Sequence, residues 1–338
     1  MSAIGKTLGS VVTLPLIWLA RAVDYPLRWW QRKTGQGGMA AAFLAPNLAI
    51  FGVFVLFPLA LNFVYSTTAG TNVLLSDRTF VGADQYARLL ACEDYTRAIT
   101  CREDLFWRAA GNTFFFVILQ VTMMVVVSTI TALILNRNIA GRGFFRAVFF
   151  FPVLLSPVVV GLIWRWILQR QGLLNLIMVN LGLDPEVWLN DRTYAFAATI
   201  GVSVWAHMGF YTLILLAGLQ AIPRDLYEAA EMDGTPPGRV FWRITLPLLG
   251  PNLAVVLVLS LIKGVQIFDE VYVLTGGGPG TSTLYLTQYI YEVGFASILR
   301  NPGLAAAASI LMGLVLVVLT LVQLWLSRRS EGKGRRDA

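Results

Sequence analysis

Charge is scarce in this sequence. Asp, Glu, Lys and Arg make up 13% of 338 residues, against about 25% in an ordinary soluble domain. A soluble fold of that length needs more polar surface, which excludes a cytosolic globular enzyme. Disorder is excluded as well, because 57% of the residues are hydrophobic and such segments are apolar-poor. Histidine is almost missing. His207 is the only one, so His-based metal sites and a Ser–His–Asp triad are poorly supplied. Gly5-Lys6-Thr7 has the ending of a phosphate-binding loop without the glycine five residues back, and Gly276–Gly280 lacks the Lys-Ser/Thr that completes one. ATP hydrolysis is not expected of this chain.

Long uncharged runs are what the sequence has instead. They cover Met39–Ser76, Ala109–Leu135, Ala147–Trp164, Thr193–Pro223, Ile244–Ile262 and Asn301–Ser327. Each contains or nearly fills the roughly 20 residues that a spanning helix needs. They are too long and smooth for barrel strands, which alternate over about ten residues. Val271–Tyr291 is also uncharged, but Gly276-Gly277-Gly278-Pro279-Gly280 interrupts it and it reads as a loop. The expectation is an all-α membrane protein with six core transmembrane helices.

Basic residues set the orientation. Lys6, Arg21, Arg28, Arg32 and Lys33 flank the first span. Arg137, Arg142 and Arg146 lie in the second loop, Arg224, Arg239 and Arg243 in the fourth, and Arg328, Arg329, Lys333, Arg335 and Arg336 in the tail. The opposite side holds half as many, Arg78, Arg88, Arg97, Arg102, Arg108, Arg170, Arg192 and Arg300, diluted by acidic residues. Both termini are therefore expected in the cytoplasm. The net charge of +7 belongs to this asymmetry and to anionic lipid, not to nucleic acid. Residues 1–38 read as a cytoplasmic segment whose Thr7–Ala20 run lies in the membrane interface, with Gly35-Gln36-Gly37-Gly38 as a linker. Residues 39–327 form the transmembrane domain and 328–338 a basic tail.

Cys92 and Cys101 share the first outward loop. On an oxidising face they read as a disulfide, worth roughly 2–3 kcal/mol in the chain-entropy model. The alternative is two free thiols. With no histidine or second cysteine pair nearby, neither reading makes a metal site.

The fourth loop, 221–250, is long for a connector. Pro223–Asp233 opens with proline and acidic residues that suit a helix start, and Gly234 provides a stop. Pro236-Pro237-Gly238 then turns the chain into an amphipathic stretch leading to the fifth span. Within this loop Glu228-Ala229-Ala230, Asp233-Gly234 and Ile244-Thr245-Leu246-Pro247 resemble the EAA loop of ABC importer permeases that work with a solute-binding protein. Val273-Leu274-Thr275-Gly276-Gly277-Gly278-Pro279, with Tyr291 and Phe295 beyond, resembles the sugar-importing branch, the maltose and glycerol-phosphate type.

The resemblance covers about residues 40–327 and implies the type I importer permease fold, in an inner membrane. The partners it implies are a second permease, two ATP-binding subunits carrying ATP and Mg, and an extracytoplasmic binding protein. Glu228, Ala229, Ala230, Asp233 and Gly234 would then couple to the ATPase. In register with that family, Ser203, His207 and Phe210 before the loop, and Ser260, Lys263, Gly264 and Ile267 after it, border the sugar pathway. Lys263 lies halfway along a span, where lysine costs about 2.5–3.5 kcal/mol. It either pairs with a neighbouring subunit, snorkels, or neutralises an acidic sugar, with Glu270 moderating its charge. His207 alone is better read as a packing or cavity histidine than as a metal ligand. Asn112, Gln120 and Thr122 read as interhelical hydrogen-bonding groups. An ion-coupled secondary transporter is the alternative, although no internal repeat supports it. A membrane-embedded enzyme would need a convergent catalytic set that is not present.

Overall fold

The computed structural model describes residues 29–334, and side chains as far as 325. It divides into two compact units, one ending at Val64 and the other beginning at Tyr65. The first contains most of α1 (Trp29–Ser66). Its 38 residues make about 57 Å of helix, well beyond the ~30 Å hydrocarbon layer. Phe43, Leu48, Phe54 and Phe57 are exposed along it, as expected of a lipid-facing span. Helical hydrogen bonding continues through Gly35–Gly38, although Gly35 stands at φ +68°, a local break in the stretch expected as a linker. Glycine weakens a helix by about 1 kcal/mol per residue but does not remove its hydrogen-bonding groups. The interfacial reading of Thr7–Ala20 lies outside the described residues.

The second unit is built on α3 (Asp104–Asn136), α7 (Arg192–Ala221) and α9 (Pro237–Val265). Phe116, Met124 and Leu135 of α3, Leu215 and Leu219 of α7, and Leu249 and Val256 of α9 share one core. Polar bonds cross it: Ser128 Oγ donates to the Met208 carbonyl at 3.3 Å and Asn252 Nδ2 to that of Ile214 at 3.2 Å. Asn112 does bridge elements, donating to the carbonyls of Thr281 (2.6 Å) and Leu284 (3.1 Å). Thr122 instead bonds back to Ile118 in its own helix. Gln120 is fully buried with neither amide atom hydrogen-bonded.

Among the described residues five helices are long and apolar enough to cross a membrane, and a bent pair makes six if it is one span. That pair corrects the smooth third span. α4 (Arg142–Phe150) and a 3₁₀ turn (Phe151–Leu154) precede α5 (Pro157–Leu168) and α6 (Leu173–Asn180), and the two halves meet at 102°. Pro152 and Pro157 lack the N–H that would continue the helical ladder, and Leu155 and Ser156 between them are extended. The elbow presses on α7 at Gly209, where a Cβ would fall 2.3 Å from the Phe149 carbonyl oxygen.

The segment between α1 and α3 is compact. β1 (Thr68–Ala69) pairs antiparallel with β2 (Thr79–Phe80). Arg78 donates to Thr68 Oγ1 and to the carbonyls of Gly70 and Asn72. The short helix α2 (Asp84–Leu90) buries Leu89 against Phe106, Leu284 and the start of α12 (Pro302–Gly334). Cys92 and Cys101 are disulfide-bonded, and their backbones also pair. Inside that loop Thr96 donates from N and Oγ1 to Asp94, which holds its carboxyl below the usual range. The stretch read as a loop, Val271–Tyr291, is mostly short helix: α10 (Asp269–Thr275) and α11 (Leu286–Tyr291) flank the glycine turn. Seven and six residues are too short for any periodicity to show in sequence.

Candidate functional site

The first candidate is the short helix α8 (Asp225–Met232). α7 ends at Ala221, Ile222 is extended, and Pro223 prevents the helix from continuing. Asp225 and Glu228 in the first turn complement the positive end of the helix dipole. At the other end Gly234 sits at φ +63°. Its N–H bonds to the Glu231 carbonyl and that of Thr235 to Ala230, which is a Schellman closure. A Cβ at Gly234 would meet nothing within 4 Å, so the glycine is there for its left-handed backbone and not for space.

One face of α8 is anchored. Ala230 is buried, and Tyr227 packs against the main core while its hydroxyl lies 3.1 Å from Thr245 Oγ1. Thr245 belongs to a π-helical turn (Phe241–Thr245) early in α9, so α8 is strapped to the base of that span. The opposite face is free: Glu228, Ala229 and Asp233 are exposed, Leu226 is 41% exposed and Met232 90%. Of the five expected coupling residues, Ala230 is therefore a packing residue. Its i, i+3 spacing to Tyr227 was the available signal. Glu228 has no ion-pair partner among the described residues.

The expected pathway residues divide. Ser203 is fully buried with an unpartnered hydroxyl, while its carbonyl oxygen lies 2.9 Å from His207 Nδ1. That nitrogen is also 3.9 Å from Glu270 Oε1, and Glu270 is itself buried. Ser260 is buried and donates back to Leu257. Gly264 lies against Gln120, whose Oε1 would be 2.9 Å from a Cβ, and Ile267 belongs to the main core. Phe210 is 43% exposed.

Lys263 is not halfway along its span, as the uncharged run suggested, but in the last turn of α9, which ends at Val265; it is half-buried with no carboxylate at ion-pair distance among the described residues. The expected moderation of Lys263 by Glu270 is not seen. α9 ends at Val265 and the backbone turns sharply at Phe268, so Glu270 leaves the Lys263 stripe and faces α7. α10 approaches α5 closely at Gly161, where a Cβ would fall 2.7 Å from the Glu270 carbonyl oxygen. Beyond it Phe268, Tyr272 and Tyr291 gather with centroids 5.2, 5.2 and 5.5 Å apart. Phe268 and Tyr272 were not singled out from sequence, because their proximity depends on the turn after α9.

This architecture has known counterparts. Residues 124–332 match the family described as binding-protein-dependent transport system inner membrane component. The trehalose/maltose transport system permease protein MalF of Thermococcus litoralis is 36% identical over 309 residues, covering 90% of this chain and 97% of that protein. The sulfoquinovosyl glycerol transport system permease protein SmoG of Agrobacterium fabrum is 30% identical, covering 93% and 98%. A bacterial ABC transporter that imports the acidic polysaccharide alginate has a chain of similar fold, with TM-score 0.74, 24% identity, and coverage of 89% and 99%. With its spans and these relatives, the chain belongs to the binding-protein-dependent inner membrane permeases, as a multi-pass subunit of a sugar ABC importer.

Proposed function

We propose that this chain forms half of the translocation pathway of an ATP-driven importer for a sugar derivative. It pairs with a second permease, receives the sugar from an extracytoplasmic binding protein, and itself catalyses nothing. ATP and Mg are held by two partner ATPase subunits, one of which docks on α8. The observation that carries this reading is the two-sidedness of α8: Tyr227 and Ala230 fix one face to the body, and Glu228, Ala229 and Met232 leave the other free. A helix held that way transmits force, since ATP-driven movement of the partner displaces α9 and α7 with it. Glu228→Lys in the reconstituted transporter is expected to abolish substrate-stimulated ATP hydrolysis while the permease remains in the membrane. Normal coupling with the ATPase still bound would refute the docking surface. ATPase-independent uptake driven by an ion gradient would favour the secondary-transporter reading instead.

The substrate class follows from Lys263. It is half-buried in the last turn of α9 with no carboxylate at ion-pair distance among the described residues, so an acidic sugar derivative would supply its counter-charge. The Phe268, Tyr272 and Tyr291 rings offer faces of the kind that stack on sugar rings. The relative named for sulfoquinovosyl glycerol sits in the same family as the one named for trehalose and maltose.

A further inference from the structure

Two arginines line a cavity where α5, α10 and the approach to α7 meet. Arg165 stands in the last turn of α5 and Arg170 just beyond it. Both face a cavity of about 260 Å³, together with Gln169, Trp188, Asn190 and Thr275. No acidic residue lines it. Neither guanidinium has a carboxylate at ion-pair distance among the described residues. Arg165 Nη1 donates to the Val273 carbonyl at 3.4 Å, which leaves most of its five N–H donors for a ligand. The walls are held from behind by Asn175, which is buried. Its Nδ2 donates to the carbonyls of Arg170 (3.0 Å) and Glu186 (2.7 Å). Its Oδ1 accepts from the Glu186 N–H (3.1 Å) and from Trp188 Nε1 (2.9 Å). One amide thus fixes the backbone at Arg170 and the indole of Trp188, so the cavity is formed before anything enters it.

Size and lining select the occupant. A cavity of about 150 Å³ takes a benzene ring, so this one takes a single six-membered ring with its substituents and is too small for a phospholipid with its acyl chains. The indole supplies apolar surface, Gln169, Asn190 and Thr275 supply hydrogen-bonding groups, and the two guanidiniums call for an anion. Tyr272 and Thr275 lie one turn apart on α10, so the Phe268, Tyr272 and Tyr291 rings are one helical turn from the cavity. Asn190 immediately precedes the N-cap of α7, whose 30 residues put about 45 Å between the cavity and α8. That is the end at which a sugar enters if α8 meets the ATPase. We propose that Arg165 and Arg170 form a subsite for the acidic ring of the transported sugar derivative. They take its carboxylate or sulfonate, and Gln169, Asn190 and Thr275 take its hydroxyls. The subsite rests on the acidic-sugar reading above and adds to Lys263 a second point at which substrate charge is recognised.

The permease–ATPase complex, purified without the extracytoplasmic binding protein, tests it by saturation-transfer NMR titration with methyl glucuronide and methyl glucoside, which differ in the carboxylate. Wild type should bind the glucuronide at least fivefold more tightly, about the upper value of one partly exposed ion pair. Arg165→Gln/Arg170→Gln should remove that preference and leave glucoside binding unchanged, while Arg165→Lys/Arg170→Lys keeps most of it. A preference that survives the double glutamine variant would overturn the subsite. If that same preference is lost in Lys263→Met, the acidic-sugar reading stands without the subsite. No preference in wild type would remove the reading and the subsite together. Displacement of the glucuronide by phosphatidylglycerol, or by inorganic sulfate at equal concentration, would make the occupant a lipid headgroup or a free anion and overturn the proposal.

Discussion

At the scale of single residues the informative pair is Lys263 and Glu270. Read along the sequence they are seven apart and share a helical stripe, so the carboxylate looks available to the lysine. In three dimensions Glu270 is committed elsewhere, buried 3.9 Å from His207. That leaves the ammonium without a carboxylate at ion-pair distance among the described residues. A neutral sugar gives nothing back for its desolvation, whereas an ion pair formed with the substrate does. Lys263→Met is therefore expected to reduce uptake of an acidic glycoside at least tenfold more than uptake of its neutral analogue, about 1.4 kcal/mol of discrimination. Parallel uptake assays with the two sugars decide it. Equal loss for both would make Lys263 structural.

At the scale of elements, α8 shows why glycine and proline punctuation was readable. Pro223 stops α7, Gly234 stops α8 and Pro236-Pro237 restart the chain as α9, each through backbone chemistry visible in one residue. Because Gly234 needs a left-handed backbone and has open space around it, substitutions there should rank by backbone tolerance and not by size alone. Asn, which visits that region readily, should retain most coupling. Ala should weaken the turn by about 1–2 kcal/mol and Val by more. Substrate-stimulated ATPase measured across Gly, Asn, Ala and Val is expected to fall in that order. Full activity in the valine variant would show that the Schellman turn is dispensable.

Other elements were not legible for identifiable reasons. The elbow of the third span hides within one uncharged run, because hydropathy does not register that Pro152 and Pro157 bracket an extended pair. The pathway face was assigned by register alone. Burial separates Ser260, Gly264 and Ile267, which pack inward, from Phe210 and Lys263, which keep exposed surface. Tyr227 was missed because its partner Thr245 is eighteen residues away, across a turn.

At the scale of the whole molecule, orientation is a matter of charge. Sixteen basic residues on one set of loops and eight on the other are enough to bias insertion, since the translocated side disfavours Lys and Arg. The structure adds a consequence. α3 begins at Asp104, just after the disulfide loop, and α7 ends at Ala221, just before α8. If the bent pair α4–α6 crosses once, an odd number of crossings separates these two points, namely α3, the bent pair and α7, and Cys92 and Cys101 lie on the face opposite α8. If α8 meets an ATPase in the cytoplasm, the cysteines face outward, where a disulfide persists. A membrane-impermeant thiol reagent applied to intact cells should then label Cys92 and Cys101 only after reduction. A cysteine placed at Thr235 in a background lacking the native two should stay unlabelled until the cells are opened. Labelling at 235 in intact cells would invert the topology and remove α8 from reach of any cytoplasmic ATPase. Labelling of the native pair without reductant would leave the topology intact and show the thiols free.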